Sequence, residues 1–374
     1  MKIPFEYGEI VGQTQFINRD DDRARLALNL TGGLNTMLIS PRRWGKSSLV
    51  QQVAIQNQNE QTIFCFIDLF HIRDEQEFYA VLTKTVIEAT SNKMEEWLST
   101  ASMFLKRLSP KIGLRIDPVN EMEISFEYDS IEKNYRDILD LAEKVAIQKN
   151  IRIVICVDEF QSLMRFNEPL LFQQRLRASW QHHKNVSYCL YGSKKHMMID
   201  IFQNKSMPFY KFGDVMFLKK IATKHWLTYI TKQFKSTDKS ISKELALSIV
   251  AAVKNHSYYV QQLSHLVWVR TESKASKAIL KDAINDLLNQ NSILFNKEID
   301  GLSNPQISFL KALTNGETQF HATKVMAKYK LGSSSAVSTI KKALEKKEVI
   351  DTLTPKLEFI DPVFEWWFKE RYLK

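Results

Sequence analysis

Two stretches about 110 residues apart constrain this chain more than any other feature. Residues 36–50 read TMLISPRRWGKSSLV, and residues 151–160 read IRIVICVDEF. In the first, a short apolar run ends at Ser40 and a helix-forming segment opens at Lys46. Between them lies the pattern G-x-x-x-x-G-K-[ST], with Ser40 in place of the first glycine. A loop of this kind holds an anion with backbone N–H groups, a helix N-terminus and a lysine. Gly45 is the position that most needs no side chain, and Ser40 is small. Lys46 is expected to reach the β- and γ-phosphates of a nucleotide, and Ser47 to bind Mg2+. In the second stretch an apolar strand runs into Asp158 and Glu159. Asp158 is placed to orient Mg2+, and Glu159 to act as general base on a water. Each stretch alone has a plain alternative, a basic turn or a strand ending in solvated acids. A strand-end acid pair downstream of a strand–loop–helix favours the nucleotide reading.

The apolar pattern around these stretches predicts an α/β fold. Strands are expected at 36–40, 62–69, 151–160, 186–193 and about 214–221, with helices between them. This alternation implies a mostly parallel sheet covered on both faces. A helix is expected from about Asp74 to Ser91, and a second to about Lys106. Residues 130–149 carry helical spacing. Between about 111 and 128, Ile112, Leu114 and Ile116 alternate, as do Ile124, Phe126 and Tyr128, around the turn material DPVNE. That pattern predicts an inserted β-hairpin. After Thr223 the strands stop and several helices follow. From Asn304, three helical runs precede VIDTLTPKLEFID, a short hairpin, as in a winged helix. The domains expected are a core over 1–222, a helical domain over 223–298 and a winged helix over 299–374.

The 374 residues include 44% hydrophobic and 25% charged residues, enough for a large core without disulfides. Net charge is +10, which permits an acidic partner such as a nucleotide or nucleic acid. Cys65, Cys156 and Cys189 each sit in an apolar strand-like run and are read as buried thiols in a reducing compartment. The opening MKIPFEYGEIVGQ has no apolar h-region, and no run reaches the ~18 apolar residues of a membrane span. No membrane association and a cytoplasmic location are expected.

The motifs together resemble the archaeal-type ATPase family, a branch of the STAND and AAA+ P-loop NTPases. That family shows P-R-R-x-G-K-[ST], D-E-F-Q, G-S, P-[FY]-Y, G-x-P-Y-Y and D-P-x-F-x-x-W in this order. Here stand Pro41-Arg42-Arg43-Trp44-Gly45-Lys46-Ser47, Asp158-Glu159-Phe160-Gln161, Gly192-Ser193, Pro208-Phe209-Tyr210, Tyr258-Tyr259 and Asp361-Pro362-Val363-Phe364-Glu365-Trp366-Trp367. The resemblance covers nearly the whole chain. It implies an AAA+/STAND-like core with parallel sheet, a helical lid and a C-terminal winged helix.

The resemblance also implies site residues. The loop from Ser40 through Pro41, Arg42, Arg43, Trp44, Gly45, Lys46 and Ser47 to Ser48 would contact the nucleotide. Arg42 and Arg43 are equally explained as an exposed basic turn. Phe16, Ile17 and Arg19 would lie near adenine, although an acidic helix start explains the same stretch. Tyr258 belongs to the lid turn beside the nucleotide. Ser193 would sense the γ-phosphate or serve only as a turn hydroxyl. Asp68 is a supporting group or a helix cap. Two departures stand out. The lid turn reads Asn255-His256-Ser257, without glycine or proline, which puts lid closure in question. Lys211-Phe212 replaces the arginine after P-F-Y, leaving Arg177 as a candidate acting on a neighbouring subunit, or as a solvated helix residue.

Residues 301–374 hold 12 Lys and Arg against 8 Asp and Glu. Lys341, Lys342, Lys346 and Lys347 lie on the third helix of that region, which has no Arg, Asn or Gln for base readout. A solvated lysine face is therefore preferred over a DNA-reading helix. The function expected is an ATPase using ATP and Mg2+ as a conformational switch for a protein partner, with a homo-oligomer allowed. Two alternatives stand beside it. One is a DNA-binding protein with ATP as positional cofactor, and the other is an ATP-gated interaction protein that does not hydrolyse.

Overall fold

The computed structural model describes residues 3–8, 17, 19–91, 113–116, 122–125 and 128–373. The second helix expected to about Lys106 lies outside the described residues, as does Phe16. The chain divides into two compact units, Arg19–Lys219 and a second made of Lys220–Lys374 with residues before Arg19. Each is taken by itself.

The first unit is built on five parallel strands, β1 (Thr36–Ile39), β2 (Thr62–Asp68), β5 (Arg152–Asp158), β6 (Val186–Gly192) and β7 (Asp214–Phe217). They lie in the order β2-β5-β6-β1-β7. The apolar runs form these strands because both faces are covered. All seven residues of β6 and all four of β1 are buried. On one face packs α1 (Asp20–Thr31) beside α2 (Lys46–Asn57), and α3 (Glu75–Thr90) covers β2. Asp74 caps α3 by accepting the Glu77 N–H at 2.9 Å. Crossovers between parallel strands bring the ends of β1, β5 and β6 to one edge, where such sheets bind ligands.

The cysteines are free and buried, and Cys156 on β5 sits opposite Cys189 on β6. Burial pushes the Cys65 thiol up to about 12, so it is a packing residue. The inserted hairpin consists of β3 (Gly113–Ile116) and β4 (Met122–Ser125), antiparallel. It is shorter than the alternation suggested, since Tyr128 begins a helix running to Leu139. The helical span 130–149 is broken at Asp140, whose carboxylate accepts from His183 at 3.0 Å and from Ser179. β7 ends at Phe217, before Lys219 and Lys220, which no buried strand could carry.

The second unit holds the helices Thr223–Lys235, Lys243–Ala252, Ser257–Arg270 and Lys277–Asp300. Three further helices (Asn304–Thr314, Thr323–Tyr329, Ser334–Lys346) and a two-stranded wing, β8 (Ile350–Asp351) with β9 (Glu358–Phe359), complete the winged helix. The D-P-x-F-x-x-W motif has a local explanation here. Asp361 caps the helix Pro362–Trp367 through the Val363 and Phe364 N–H groups, and Phe364 and Trp367 fill the core. The Tyr259 hydroxyl also donates to Asp361, at 2.5 Å.

The turn Asn255-His256-Ser257 contains no glycine. Asn255 stands at φ +59°, a left-handed conformation that asparagine tolerates better than most side chains. Its amide donates to the Ile221 carbonyl and the Thr223 hydroxyl, both at 3.0 Å. Ser257 opens the next helix at the position where proline would be equally at home.

Glu298 adds a pH dependence to this unit. Burial, and then the nearby Asp361 charge, push its carboxyl from 4.5 up to about 7. The folded state then keeps a proton that the unfolded chain has already lost. Stability conferred by the protonated form is complete at low pH and declines as pH rises through about 7. Glu298→Gln should flatten this slope and stabilise the unit at pH ~8 by on the order of 2 kcal/mol. Urea unfolding of both proteins at pH ~5.5 and ~8 checks it, and equal slopes would refute it.

Candidate functional site

The loop of residues 40–45 leaves β1 at Ile39 and enters α2 at Lys46. Gly45 caps α2 at φ +93°, a region that side-chain-bearing residues avoid. A Cβ there would meet nothing within 4 Å, so backbone conformation alone demands the glycine among the described residues. Ser40, in the first-glycine position, is buried at 1% exposure, where a larger side chain would not fit. Its hydroxyl turns back to the Pro41 carbonyl at 3.2 Å. Lys46 is 6% exposed, and its ammonium donates to the carbonyls of Ser40 and Pro41, each at 3.0 Å. A buried ammonium needs such acceptors, and these ones hold it within its own loop. Arg42 and Arg43 are exposed, Trp44 is half-buried, and Ser48 is buried in the first turn of α2.

The two motifs meet directly. Ser47 Oγ donates to Asp158 Oδ2 at 2.8 Å. The other oxygen, Asp158 Oδ1, accepts the Glu159 N–H at 2.7 Å. Burial, helped by the Glu159 charge, holds the Asp158 carboxyl above its ordinary value, although these two hydrogen bonds and the Lys46 charge pull the other way. Glu159 stands at φ +50°, a left-handed backbone for a side-chain-bearing residue, at the turn from β5 into the short helix Phe160–Arg165. Its Oε2 accepts from Ser193 Oγ at 2.9 Å and from the Gln161 amide. Ser193 follows β6, the strand between β5 and β1. Ser40, Lys46, Ser47, Asp158, Glu159 and Ser193 therefore converge at one edge of the sheet.

The other sequence candidates are placed differently. Arg19 is buried and braces the loop: it donates to the Trp44 carbonyl at 2.8 Å and to the Lys219 carbonyl at 2.9 Å, and pairs with Asp22 at 3.2 Å. Its position tethers the phosphate loop to the segment after β7. On the nucleotide-binding reading proposed below, Arg19→Ala should weaken ATP binding about tenfold, the equivalent of one charge-assisted hydrogen bond. Nucleotide titration checks this, and an unchanged affinity would show that the brace is dispensable. Ile17 belongs to the second unit, where it packs in the core with Phe5, Ile221 and Trp226. Tyr258 is also in that unit, edge-on to Tyr7 at 5.6 Å. Asp68 caps no helix and instead accepts the Phe70 N–H at 2.8 Å in the turn after β2. The Arg177 guanidinium lies over the Phe212 ring at 4.8 Å, which accounts for it as a packing residue.

The contacts of Arg19 with the loop and of Gln161 with Glu159 are not written in the motifs that contain these residues. Both act through contacts that no local pattern records. Among the described residues no group of three or more His, Cys, Asp or Glu side chains could hold a metal ion. No helix among them is long and apolar enough to cross a membrane.

Comparison with known proteins bears on the fold. A family model described as "Probable winged helix domain" matches residues 293–370. The chain is similar in structure to the Walker-type ATPase PABY2304 of Pyrococcus abyssi. The TM-score is 0.68 at 13% identity, covering 98% of this chain and 99% of that one. It is also similar to the ORC2 protein of Aeropyrum pernix in its ADPNP–ADP complexes. There the TM-score is 0.57 at 13% identity, covering 99% and 100%. The ADP form of that protein gives a TM-score of 0.54 at 14% identity, covering 98% and 96%. No curated protein matches. At these identities the likeness is one of fold alone: an α/β core with a parallel five-stranded sheet, a helical region and a winged helix.

Proposed function

We propose that this chain binds ATP and hydrolyses it with Mg2+, coupling nucleotide state to a protein partner. The observation that carries this reading is the 2.8 Å hydrogen bond between Ser47 Oγ and Asp158 Oδ2. It brings a hydroxyl and a carboxylate together beside the start of α2. Two hard oxygen donors are the set that Mg2+ takes, so the residues fit the ion. Ser47 and Asp158 would hold it, Asp158 directly or through water. Bound there, the ion would neutralise charge on the β- and γ-phosphates.

The chain's own residues supply the rest. Lys46, at the first position of α2, would exchange the Ser40 and Pro41 carbonyls for phosphate oxygens. The N–H groups opening α2 add their dipole to the same anion. Glu159 would take the proton of the attacking water. Ser193, already within hydrogen-bond reach of Glu159, would orient that water or the γ-phosphate. The shared fold with a Walker-type ATPase supports the reading. So does the ORC2 protein of that fold, described in ADPNP–ADP complexes. The motif set supports grouping the chain with the archaeal-type ATPases. In that scheme a core over 1–222, a lid over 223–298 and a winged helix over 299–374 act as separate parts, the last facing the partner. Phosphate release from ATP by the purified chain tests the proposal. Hydrolysis that requires magnesium supports it, and a chain that neither binds nor cleaves ATP overturns it.

A further inference from the structure

We propose that Gln161 is a positioning residue for Glu159. Seated against the bare Cα of Gly192, its amide holds one oxygen of the Glu159 carboxylate and leaves the other to the attacking water. This inference rests on the reading of Glu159 as the general base.

Gln161 lies in the short helix after β5, two residues beyond Glu159, and is 3% exposed. Its Nε2 donates to Glu159 Oε2, the same oxygen that Ser193 Oγ reaches at 2.9 Å. Oε1 of Glu159 takes no hydrogen bond among the described residues, so it is the oxygen left to accept a proton. Chemistry fixes the orientation of the amide. A carboxylate only accepts, so Nε2 must face Glu159 and the amide oxygen must face away. That oxygen is buried and has no donor among the described residues.

A buried, unpartnered amide oxygen costs stability. A residue kept for packing alone would be better replaced by an apolar side chain of the same length. What the amide offers in return is a donor on Glu159, and the surroundings are shaped to seat it. A Cβ on Gly192 would lie 1.9 Å from Gln161 Oε1 and 2.8 Å from Met198 Sδ. Gly192 is thus bare so that the amide can lie over it. The Gln of D-E-F-Q and the Gly of G-S occupy one contact, and Ser193, next after that glycine, donates to the same carboxylate oxygen. The two donors come from separate elements, the helix after β5 and the residue after β6, so two parts of the fold hold the same carboxylate oxygen.

Gln161→Met keeps the length and unbranched shape and removes the donor. In the full chain, kcat for ATP hydrolysis should fall about 10- to 100-fold while KM stays within about twofold. Tm should hold or rise, because the unpartnered oxygen is gone. Gly192→Ala, whose Cβ displaces the amide, should give the same loss of kcat with KM retained. A wild-type kcat in Gln161→Met overturns the inference. So does a variant whose kcat, KM and Tm all worsen together, since that marks a structural role. If the unaltered chain shows no Glu159-dependent hydrolysis, the proposed function fails, and the inference with it. If Glu159→Gln stops hydrolysis and Gln161→Met does not, only the inference fails.

Discussion

Lys46→Ala should reduce ATP affinity at least ~100-fold, to the point where no saturable binding is seen at ordinary nucleotide concentrations. The ammonium is buried and positioned by the first turn of α2, with two loop carbonyls as its acceptors. A charge-assisted contact to phosphate in so enclosed a place is worth far more than one on the surface. Alanine also leaves the Ser40 and Pro41 carbonyls without that donor, so the loop itself should lose definition. Two effects therefore act in the same direction, one on the ligand and one on the loop. Equilibrium titration with a fluorescent ATP analogue, alongside a melting curve, checks the result. A folded Lys46→Ala protein that binds ATP as the unaltered chain does would remove the loop from the account.

Glu159→Gln should leave ATP binding within about threefold and lower turnover by roughly 10²- to 10⁴-fold. The substitution preserves shape, and the new amide oxygen can still accept from Ser193 and Gln161. What it loses is the ability to take a proton. Ser47, Asp158 and Lys46 are untouched, so the phosphates should be held as before. This separates the two halves of the site: Lys46 for holding, Glu159 for turnover. Steady-state kinetics combined with direct binding would show the split. A drop in affinity matching the drop in rate would assign Glu159 to binding instead.

Much of this was legible because strand ends are written locally. TMLI and VICV are buried runs, and the polar residues that stop them must lie at a sheet edge. Knowing that both strands are parallel in one sheet is enough to bring Ser47 and Asp158 together. Asp361 was legible only as part of a motif. Its work as a helix cap and as acceptor for Tyr259 appears when the two helices pack.

Other features were not legible, for identifiable reasons. Tyr128 continues an alternating pattern, but alternation over a few residues is equally the start of a helix. Asn255 stands where the resembled motif has glycine, and neither its left-handed backbone nor its two amide hydrogen bonds can be read from a sequence pattern. Ile17 sat beside Arg19 in sequence, yet one is a core residue of the second unit and the other braces the phosphate loop. Gln161 and Gly192 lie on different elements, and nothing local says that one is bare for the sake of the other.

On the proposed function, this site cleaves ATP and does not merely hold it. Single-turnover conversion of γ-labelled ATP, with protein in excess and magnesium present, tests it most directly. The unaltered chain should turn bound ATP into ADP and phosphate, while Glu159→Gln retains intact ATP over the same period. Equal cleavage by both proteins would take the general-base role from Glu159, and bound ATP left uncleaved by both would overturn the proposed hydrolysis.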